Sequence, residues 1–171
     1  GRMRMGKMNQ VKKEMPGLDE VPGWTANAVA AGIKPRHESL FRVGESVSGY
    51  KVTQGNRAEL MTDSSAAIER MIADIDSATD HVHLLFYIWM PDNSGTMMSK
   101  ALIRAVARGV KCRAMVDDMG SHLLIQSALW KEMESSGVNL CRVLQVGNPL
   151  LRMFNGRIDL RNHRKILVID N

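Results

Sequence analysis

The sequence predicts an α/β fold in which neighbouring strands are parallel and are joined by helices. From residue 81 onward, short β-rich apolar segments alternate with longer segments whose apolar residues recur at helical spacing. Gly109 and Gly137 follow two of the helical segments, where a left-handed glycine commonly ends a helix. The resulting order of strand, helix, strand, helix, strand predicts right-handed crossovers between parallel neighbours.

The first 48 residues have the composition of a linker. Proline and glycine recur through them and interrupt any regular element, at Pro16, Gly17, Pro22, Gly23, Pro35 and Gly44. Only a short helical piece is expected, near residues 38–43. We therefore predict two parts, an irregular segment over residues 1–48 and a regular domain over residues 49–171.

Regular structure is predicted to begin at residue 50. Short strands are expected over residues 50–53 and 58–62, on either side of a glycine-asparagine turn. Asp63 can cap a helix over residues 64–78. The apolar residues of that helix recur at helical spacing and predict a buried face, which consists of Ile68, Met71, Ile72 and Ile75.

The next strand is expected over residues 81–89, in an almost continuous apolar run. A loop over residues 91–95 leads to a helix over residues 97–108, which Gly109 can end in a left-handed cap. The buried face predicted for this helix consists of Met98, Ala101, Leu102 and Ala105.

Two further strands, residues 110–117 and 138–144, enclose a helix over residues 121–135. The alternating apolar residues of the first strand should face the core, namely Val110, Cys112, Ala114 and Val116. The helix should bury Ile125, Ala128, Leu129 and Met133. Both cysteines, Cys112 and Cys141, fall in these strands and are expected to be reduced core residues.

Residues 146–161 form the least regular part of the second half. A loop of this length is often functional, and its apolar side chains either dip into lipid or pack on the core. The last strand is expected over residues 163–170, where four aliphatic residues precede a turn-favouring Asp-Asn pair.

Charge indicates an anionic partner but does not identify it. The formal net charge is +5, and basic residues cluster at the start of the chain and around the last strand. A positive field attracts anionic lipid headgroups and nucleic acid alike. The 171 residues contain no run of about eighteen apolar residues of the kind that spans a membrane.

The last predicted strand carries the strongest chemical signal. His163 and Lys165 are two residues apart, so on a strand they would share one face, roughly 7 Å from each other. A neutral imidazole supplies a nitrogen nucleophile, and an ammonium group supplies a fixed positive charge. Attack on an anionic phosphodiester requires this combination. Asp170 ends the run.

The pattern His163-x-Lys165-x4-Asp170 resembles the signature of the phospholipase D superfamily. Residues 159–171 are similar to the first such motif of bacterial cardiolipin synthases. Upstream, three segments are also similar to that family in order and spacing, namely residues 55–60, 81–89 and 117–121. The resemblance covers residues 50–171. It implies the phospholipase D α/β/α sandwich with a mixed sheet, of which this chain holds the first half, preceded by an irregular linker.

The resemblance implies a phosphatidyltransferase of the cardiolipin synthase type, with His163, Lys165 and Asp170 as site residues. His163 would attack phosphorus, form a phosphohistidine and pass a phosphatidyl group between phosphatidylglycerol molecules. Neither a cofactor nor a metal is implied. On a regular strand Asp170 faces away from His163, so we expect it to fix the turn or to bond backbone amides. For Asp117, closing a turn or capping a helix is favoured over a place in the active-site crevice.

The resemblance also implies partners and a location. Anionic phospholipid, above all phosphatidylglycerol, and a membrane surface are the expected partners. A second motif of the same kind, whose histidine acts as general acid, is expected outside these 171 residues, so this chain alone should be inactive. Residues 1–48 would be a juxtamembrane linker after upstream membrane helices, at the cytoplasmic face of the cell membrane.

Several alternatives stay open. A phospholipase D would pass the same phosphatidyl group to water, and the donor and acceptor are not fixed by the sequence. Single-motif nucleases of the superfamily build their site across a homodimer, which the basic charge permits, although nucleic acid is not the expected partner. A third interpretation is a non-catalytic module that associates with membranes. DNA cleavage without added metal would favour the nuclease. Liposome sedimentation with and without anionic lipid tests the module, and equal binding to neutral vesicles would count against an electrostatic attachment.

Overall fold

The computed structural model describes residues 35–49, 56–144 and 161–170. The chain divides into two compact units, Gly1–Leu60 and Met61–Asn171. The predicted boundary between residues 48 and 49 stays a prediction. The strand predicted over residues 50–53 lies outside the described residues.

In the first unit, a 3-10 turn at Pro35–His37 leads into helix α1 (Glu38–Ser48). The helix is longer than the piece predicted near residues 38–43. It ends at Gly49, whose left-handed conformation (φ 79°) lets its N–H donate to the carbonyl of Glu45. The large apolar side chains of α1 are all exposed, namely Leu40, Phe41, Val43 and Val47.

A four-stranded mixed sheet lies at the centre of the second unit. Its strands are β1 (His81–Phe86), β2 (Lys111–Asp117), β3 (Asn139–Val143) and β4 (Ile166–Ile169), in the order β3-β2-β1-β4. The pairs β1–β2 and β2–β3 are parallel, whereas β4 runs antiparallel to β1. The α/β class, the parallel neighbours and the mixed sheet are therefore confirmed.

Four helices accompany the sheet in the described part of this unit: α2 (Ser64–Ser77), α3 (Asn93–Ala107), α4 (His122–Ile125) and α5 (Ala128–Ser135). Asp63 caps α2 as predicted, because its carboxylate accepts a hydrogen bond from the Ala66 amide at 2.9 Å. Gly109 and Gly137 follow α3 and α5 with φ of 91° and 95°, as their predicted left-handed role requires.

The core lies between the sheet and helices α2, α3 and α5. Alternate strand residues face these helices and are buried, namely Val82, Leu84, Cys112, Ala114 and Val116. Each large aliphatic side chain removed from water in this way stabilises the fold by about 1.5–3 kcal/mol. The intervening residues of β2, Lys111, Arg113 and Met115, lie on the opposite face and are exposed.

The prediction of a strand over residues 58–62 is wrong, since these residues are exposed and pair with no described strand. Helix α3 begins four residues earlier than predicted, because Asp92 caps it by accepting from the Gly95 amide at 2.8 Å. Gly95 therefore lies in the helix and not in the predicted loop, and the main chain of Met90 packs closely against it. A Cβ at this position would lie 1.8 Å from the carbonyl oxygen of Met90.

The helix predicted over residues 121–135 is broken into α4 and α5. Ser127 caps α5 by accepting a hydrogen bond from the Trp130 amide, so the chain turns at residues 126–127. Two burial predictions are also wrong, because Ala128 and Cys141 are exposed. The loop predicted over residues 146–161 lies outside the described residues except for Arg161. None of the described helices has the length and hydropathy needed to cross a bilayer.

Candidate active site

The antiparallel course of β4 decides where His163 and Lys165 lie. Leu85, near the end of β1, pairs with Ile166, the first residue of β4. The residues that precede β4 are therefore at the edge where the parallel strands β1, β2 and β3 end. We call this edge the carboxyl edge and the opposite one the amino edge. Ligand sites of open α/β sheets lie outside the carboxyl ends of the strands.

His163 does not lie on a strand, contrary to the sequence prediction. Strand β4 begins three residues later, and residues 161–165 form an irregular segment. The imidazole is exposed and packs against the ring of Tyr87, with the ring centroids 4.4 Å apart and the planes tilted by 53°. A tilted aromatic contact of this kind favours one orientation of the rings.

Lys165 is also exposed, and it is brought to His163 by a hydrogen bond rather than by a shared strand face. Its Nζ donates to the carbonyl oxygen of His163 at 2.9 Å. An ammonium group has three donors, so this bond fixes the amine while further donors can meet an anion. A nucleophilic nitrogen and a positive charge are thus presented from the same short segment.

Asp170 lies at the amino edge, separated from Lys165 by the whole of β4. Its Oδ2 accepts from the amide and hydroxyl of Thr79 at 2.7 and 2.9 Å. Its Oδ1 accepts from the amides of Asp80 and His81, both at 2.9 Å. These bonds, with that of the Thr79 amide first among them, lower the pKa of the carboxyl well below its ordinary value. The bonding agrees with the structural role expected for Asp170.

Asp117 is buried at the end of β2 and closes the turn that follows. Its Oδ1 accepts from the amides of Met119 and Gly120 at 2.9 and 3.0 Å, which agrees with the favoured interpretation. Its carboxylate also faces the guanidinium of Arg161, whose Nη1 is 3.4 Å from Oδ2. This ion pair joins the sheet to the segment that carries His163.

Sequence reasoning missed Tyr87, Arg161 and Ser121 as components of the site. The Ser121 hydroxyl accepts from the Trp89 amide at 2.9 Å and donates to the Tyr87 carbonyl at 3.2 Å. It thereby joins the loop after β1 to the turn after β2. Segments 81–89, 117–121 and 159–171 contain these three residues and resemble the family, so the resemblance could have directed attention to them.

Within the described ranges, no three histidine, cysteine, aspartate or glutamate side chains are grouped closely enough to hold a metal ion. His81 and His83 stand side by side on the exposed sheet face, with ring centroids 4.8 Å apart. Partial burial, and then the charges of His81 and Arg113, lower the pKa of His83. Arg113 Nη1 is 2.8 Å from His83 Nε2, so this pair belongs to the sheet face rather than to the carboxyl edge.

Comparison with known proteins identifies close counterparts of this region. A family model described as "Cardiolipin synthase, PLD-like domain" matches residues 71–171. Cardiolipin synthase A of Klebsiella pneumoniae (strain 342) is 36% identical over 80% of this chain and 28% of its own length. The cardiolipin synthase A of Citrobacter koseri is 36% identical over 78% of this chain and 27% of its own length. The chain thus spans less than a third of the curated relatives it matches.

Two solved structures show a more distant likeness. A polyphosphate kinase from Porphyromonas gingivalis is 18% identical, with a TM-score of 0.34 over 44% of this chain and 12% of that one. The archaeal chromatin protein TrmBL2 is 13% identical, with a TM-score of 0.44 over 99% of this chain and 48% of that one. Both TM-scores are below 0.5, so neither likeness identifies a common fold.

Proposed function

We propose, since this chain belongs to the cardiolipin synthase family of phospholipase D-like domains, that it forms part of a phosphatidyltransferase in which His163 is the nucleophile. The observation that carries the proposal is the placement of His163 and Lys165. Both are exposed at the carboxyl edge, and the amine of Lys165 is bonded to the His163 main chain.

The proposed first step is attack on the phosphorus of phosphatidylglycerol. An unprotonated ring nitrogen of His163 forms a bond to phosphorus, and the bond from phosphorus to the glycerol headgroup oxygen breaks. Glycerol leaves once its alkoxide takes a proton. We propose that the histidine of a second motif, outside the present sequence, supplies that proton, as the family resemblance implies. The product is a phosphatidyl group held on His163.

In the proposed second step, a hydroxyl of another phosphatidylglycerol attacks the same phosphorus. The nitrogen–phosphorus bond breaks, the hydroxyl proton is taken up by a base, and cardiolipin leaves with His163 regenerated. Lys165 would neutralise the nonbridging oxygens in both steps. A preorganised donor of this type is typically worth about 3–4 kcal/mol in the transition state. Asp170 would act indirectly, by fixing β4 to the start of β1.

Anionic phospholipid and a membrane surface are the proposed partners, together with the second motif. We place the activity at the cytoplasmic face of the cell membrane. The exposed basic residues beside His163, namely Arg164 and Lys165, support an anionic substrate. The nuclease alternative is not favoured, since the matching family model and the curated relatives reported above are cardiolipin synthases.

The experiment is replacement of His163 by alanine in the full-length gene product. We expect loss of cardiolipin formation from labelled phosphatidylglycerol, with the melting temperature unchanged because the side chain is exposed. His122→Ala is the matched control, because His122 is an exposed histidine whose Nδ1 lies 3.2 Å from the Met119 carbonyl. Cardiolipin formation by the His163 variant at the control's rate would refute the nucleophile assignment.

Trapping of the phosphorylated peptide separates two ways in which the variant could be inactive. Acid-labile label on a peptide that contains His163 is the expected result for the unaltered protein. Label on another histidine would show that His163 acts second, as general acid.

A further inference from the structure

We propose that the buried ion pair of Asp117 and Arg161 positions the imidazole of His163 by holding the main chain two residues before it. The inference rests on the proposed function in so far as His163 is the nucleophile. Arg161 is a positioning residue in this view, because it acts through His163.

The first support is the way in which Arg161 is held. Its side chain is only 8% exposed, and that of Asp117 is 1% exposed. Nη1 lies 3.4 and 3.5 Å from the two carboxylate oxygens and donates to the Leu144 carbonyl at 3.0 Å. Nη2 approaches Met119 Sδ at 3.8 Å. One planar guanidinium thus connects residue 161 to the ends of β2 and β3.

The second support is that the anchor itself is rigid. Asp117 is the last residue of β2, the strand between β1 and β3, and its carboxylate accepts two amide hydrogen bonds from the following turn. Its carbonyl also accepts from the Ser121 amide at 3.0 Å. Arg161 is therefore attached to a part of the sheet that is fixed by packing and by hydrogen bonds.

The third support is that the same turn holds the partner ring of His163. The Ser121 hydroxyl bonds to the Tyr87 carbonyl and the Trp89 amide. A Cβ on Gly120 would lie 2.3 Å from the Tyr87 carbonyl oxygen, so the two loops are in close contact. The turn after β2 therefore fixes His163 from two sides, through Arg161 along the chain and through the ring of Tyr87.

A buried ion pair generally adds little net stability to a fold. Removing two charges from water is unfavourable in general, and apolar replacements of similar volume are often neutral or stabilising. A planar guanidinium whose two terminal nitrogens meet different partners, however, restricts both the distance and the orientation of the side chain, which an apolar contact does not. Its benefit should therefore appear in the geometry of His163 rather than in stability.

The test is the double variant Asp117→Asn/Arg161→Met in the full-length gene product, assayed with phosphatidylglycerol in mixed micelles. The asparagine oxygen keeps the two amide bonds of the turn, and the methionine fills the space without leaving a charge unpaired. We expect a melting temperature close to that of the unaltered protein, an unchanged KM, and a kcat about 10- to 100-fold lower. An unaltered kcat in this folded variant would overturn the proposal.

If the double variant loses stability, the conservative variant Arg161→Lys tests the positioning role instead. Arg161→Lys keeps the charge, but one ammonium group replaces a planar guanidinium whose Nη1 contacts Asp117 and the Leu144 carbonyl while Nη2 contacts Met119 Sδ. Its kcat should again fall with KM unchanged, and a retained kcat would count against the proposal. The matched control is Arg142→Lys, which alters the neighbouring, more exposed pair with Asp118 and should leave kcat unchanged.

Nuclear Overhauser effects between the rings of Tyr87 and His163 give a readout that needs no activity. We expect them in the unaltered protein and expect their loss in the double variant, because the segment is no longer held. Their persistence would refute the positioning role even if the protein transferred no phosphatidyl group. Absence of transfer in the unaltered protein, with these ring contacts behaving as expected, would instead refute the proposed function.

Discussion

The two edges of the sheet hold opposite ends of the same sequence motif, and they differ in how their polar groups are used. At the amino edge, the Asp170 carboxylate accepts four hydrogen bonds, from Thr79, Asp80 and His81. At the carboxyl edge, His163 and Lys165 are exposed beside Tyr87. A carboxylate with four internal donors has little capacity left for a substrate, whereas exposed groups can meet one. Residues of one signature therefore need not share one role.

The strongest test of this comparison is removal of the charge at the carboxyl edge. We expect Lys165→Met to lower kcat by about 10²- to 10³-fold, because a preorganised donor to the phosphate is lost. The melting temperature should not change, since the side chain is exposed. Steady-state transfer from phosphatidylglycerol and a thermal melt measure the two quantities.

Lys131→Met provides the matched control for that change. Lys131 is an exposed lysine on α5, so its replacement alters the net charge equally. A similar loss of kcat in both variants would show that the overall charge matters, rather than the position of Lys165.

The complementary change at the amino edge is Asp170→Asn. Each carboxylate oxygen accepts two bonds, so an amide nitrogen in place of one oxygen would face two donors. Asparagine tolerates the left-handed backbone of Asp170 (φ 47°), so the change isolates the bonding. We expect a clearly lower melting temperature, with kcat per folded molecule largely retained. A large fall in kcat without loss of stability would contradict the comparison, because Asp170 would then act in catalysis rather than in stability.

The stability conferred by Asp170 should also depend on pH. Because its pKa is lowered in the folded state, its contribution is complete above the ordinary carboxyl pKa and is lost as pH falls towards the lowered value. The difference in stability between the unaltered protein and Asp170→Asn should therefore be greatest near neutral pH and should narrow below about pH 4. Urea unfolding at a series of pH values in this range measures the difference in unfolding free energy. The control is Asp74→Asn, which alters an exposed ion pair with Arg70.

The smallest expected effect concerns the ring beside His163. Aromatic pairs contribute about 0.5–1.5 kcal/mol beyond their buried area, so Tyr87→Ala should lower kcat by about 2- to 12-fold. Tyr87→Phe keeps the ring and should behave like the unaltered protein. An equal loss in both variants would assign the effect to the hydroxyl group instead.

The elements that sequence reasoning predicted well have local causes. The cap at Asp63 and the left-handed glycines at 109 and 137 depend on a few neighbouring residues, so a pattern is enough to find them. The parallel neighbours follow from the alternation of strands and helices. The break between α4 and α5 was missed, because the apolar spacing continues across it while the Ser127 hydroxyl caps a new helix.

By itself, the sequence determined the α/β class, the order of the elements and the identity of His163, Lys165 and Asp170 as candidates. The reason is that periodicity and motif spacing are properties of short stretches of chain. Only the tertiary structure decided that His163 lies before β4, against Tyr87, and that Arg161 reaches Asp117 across 44 residues of sequence. Such contacts arise when separate strands pair and their loops meet, and no local pattern encodes the distance between them.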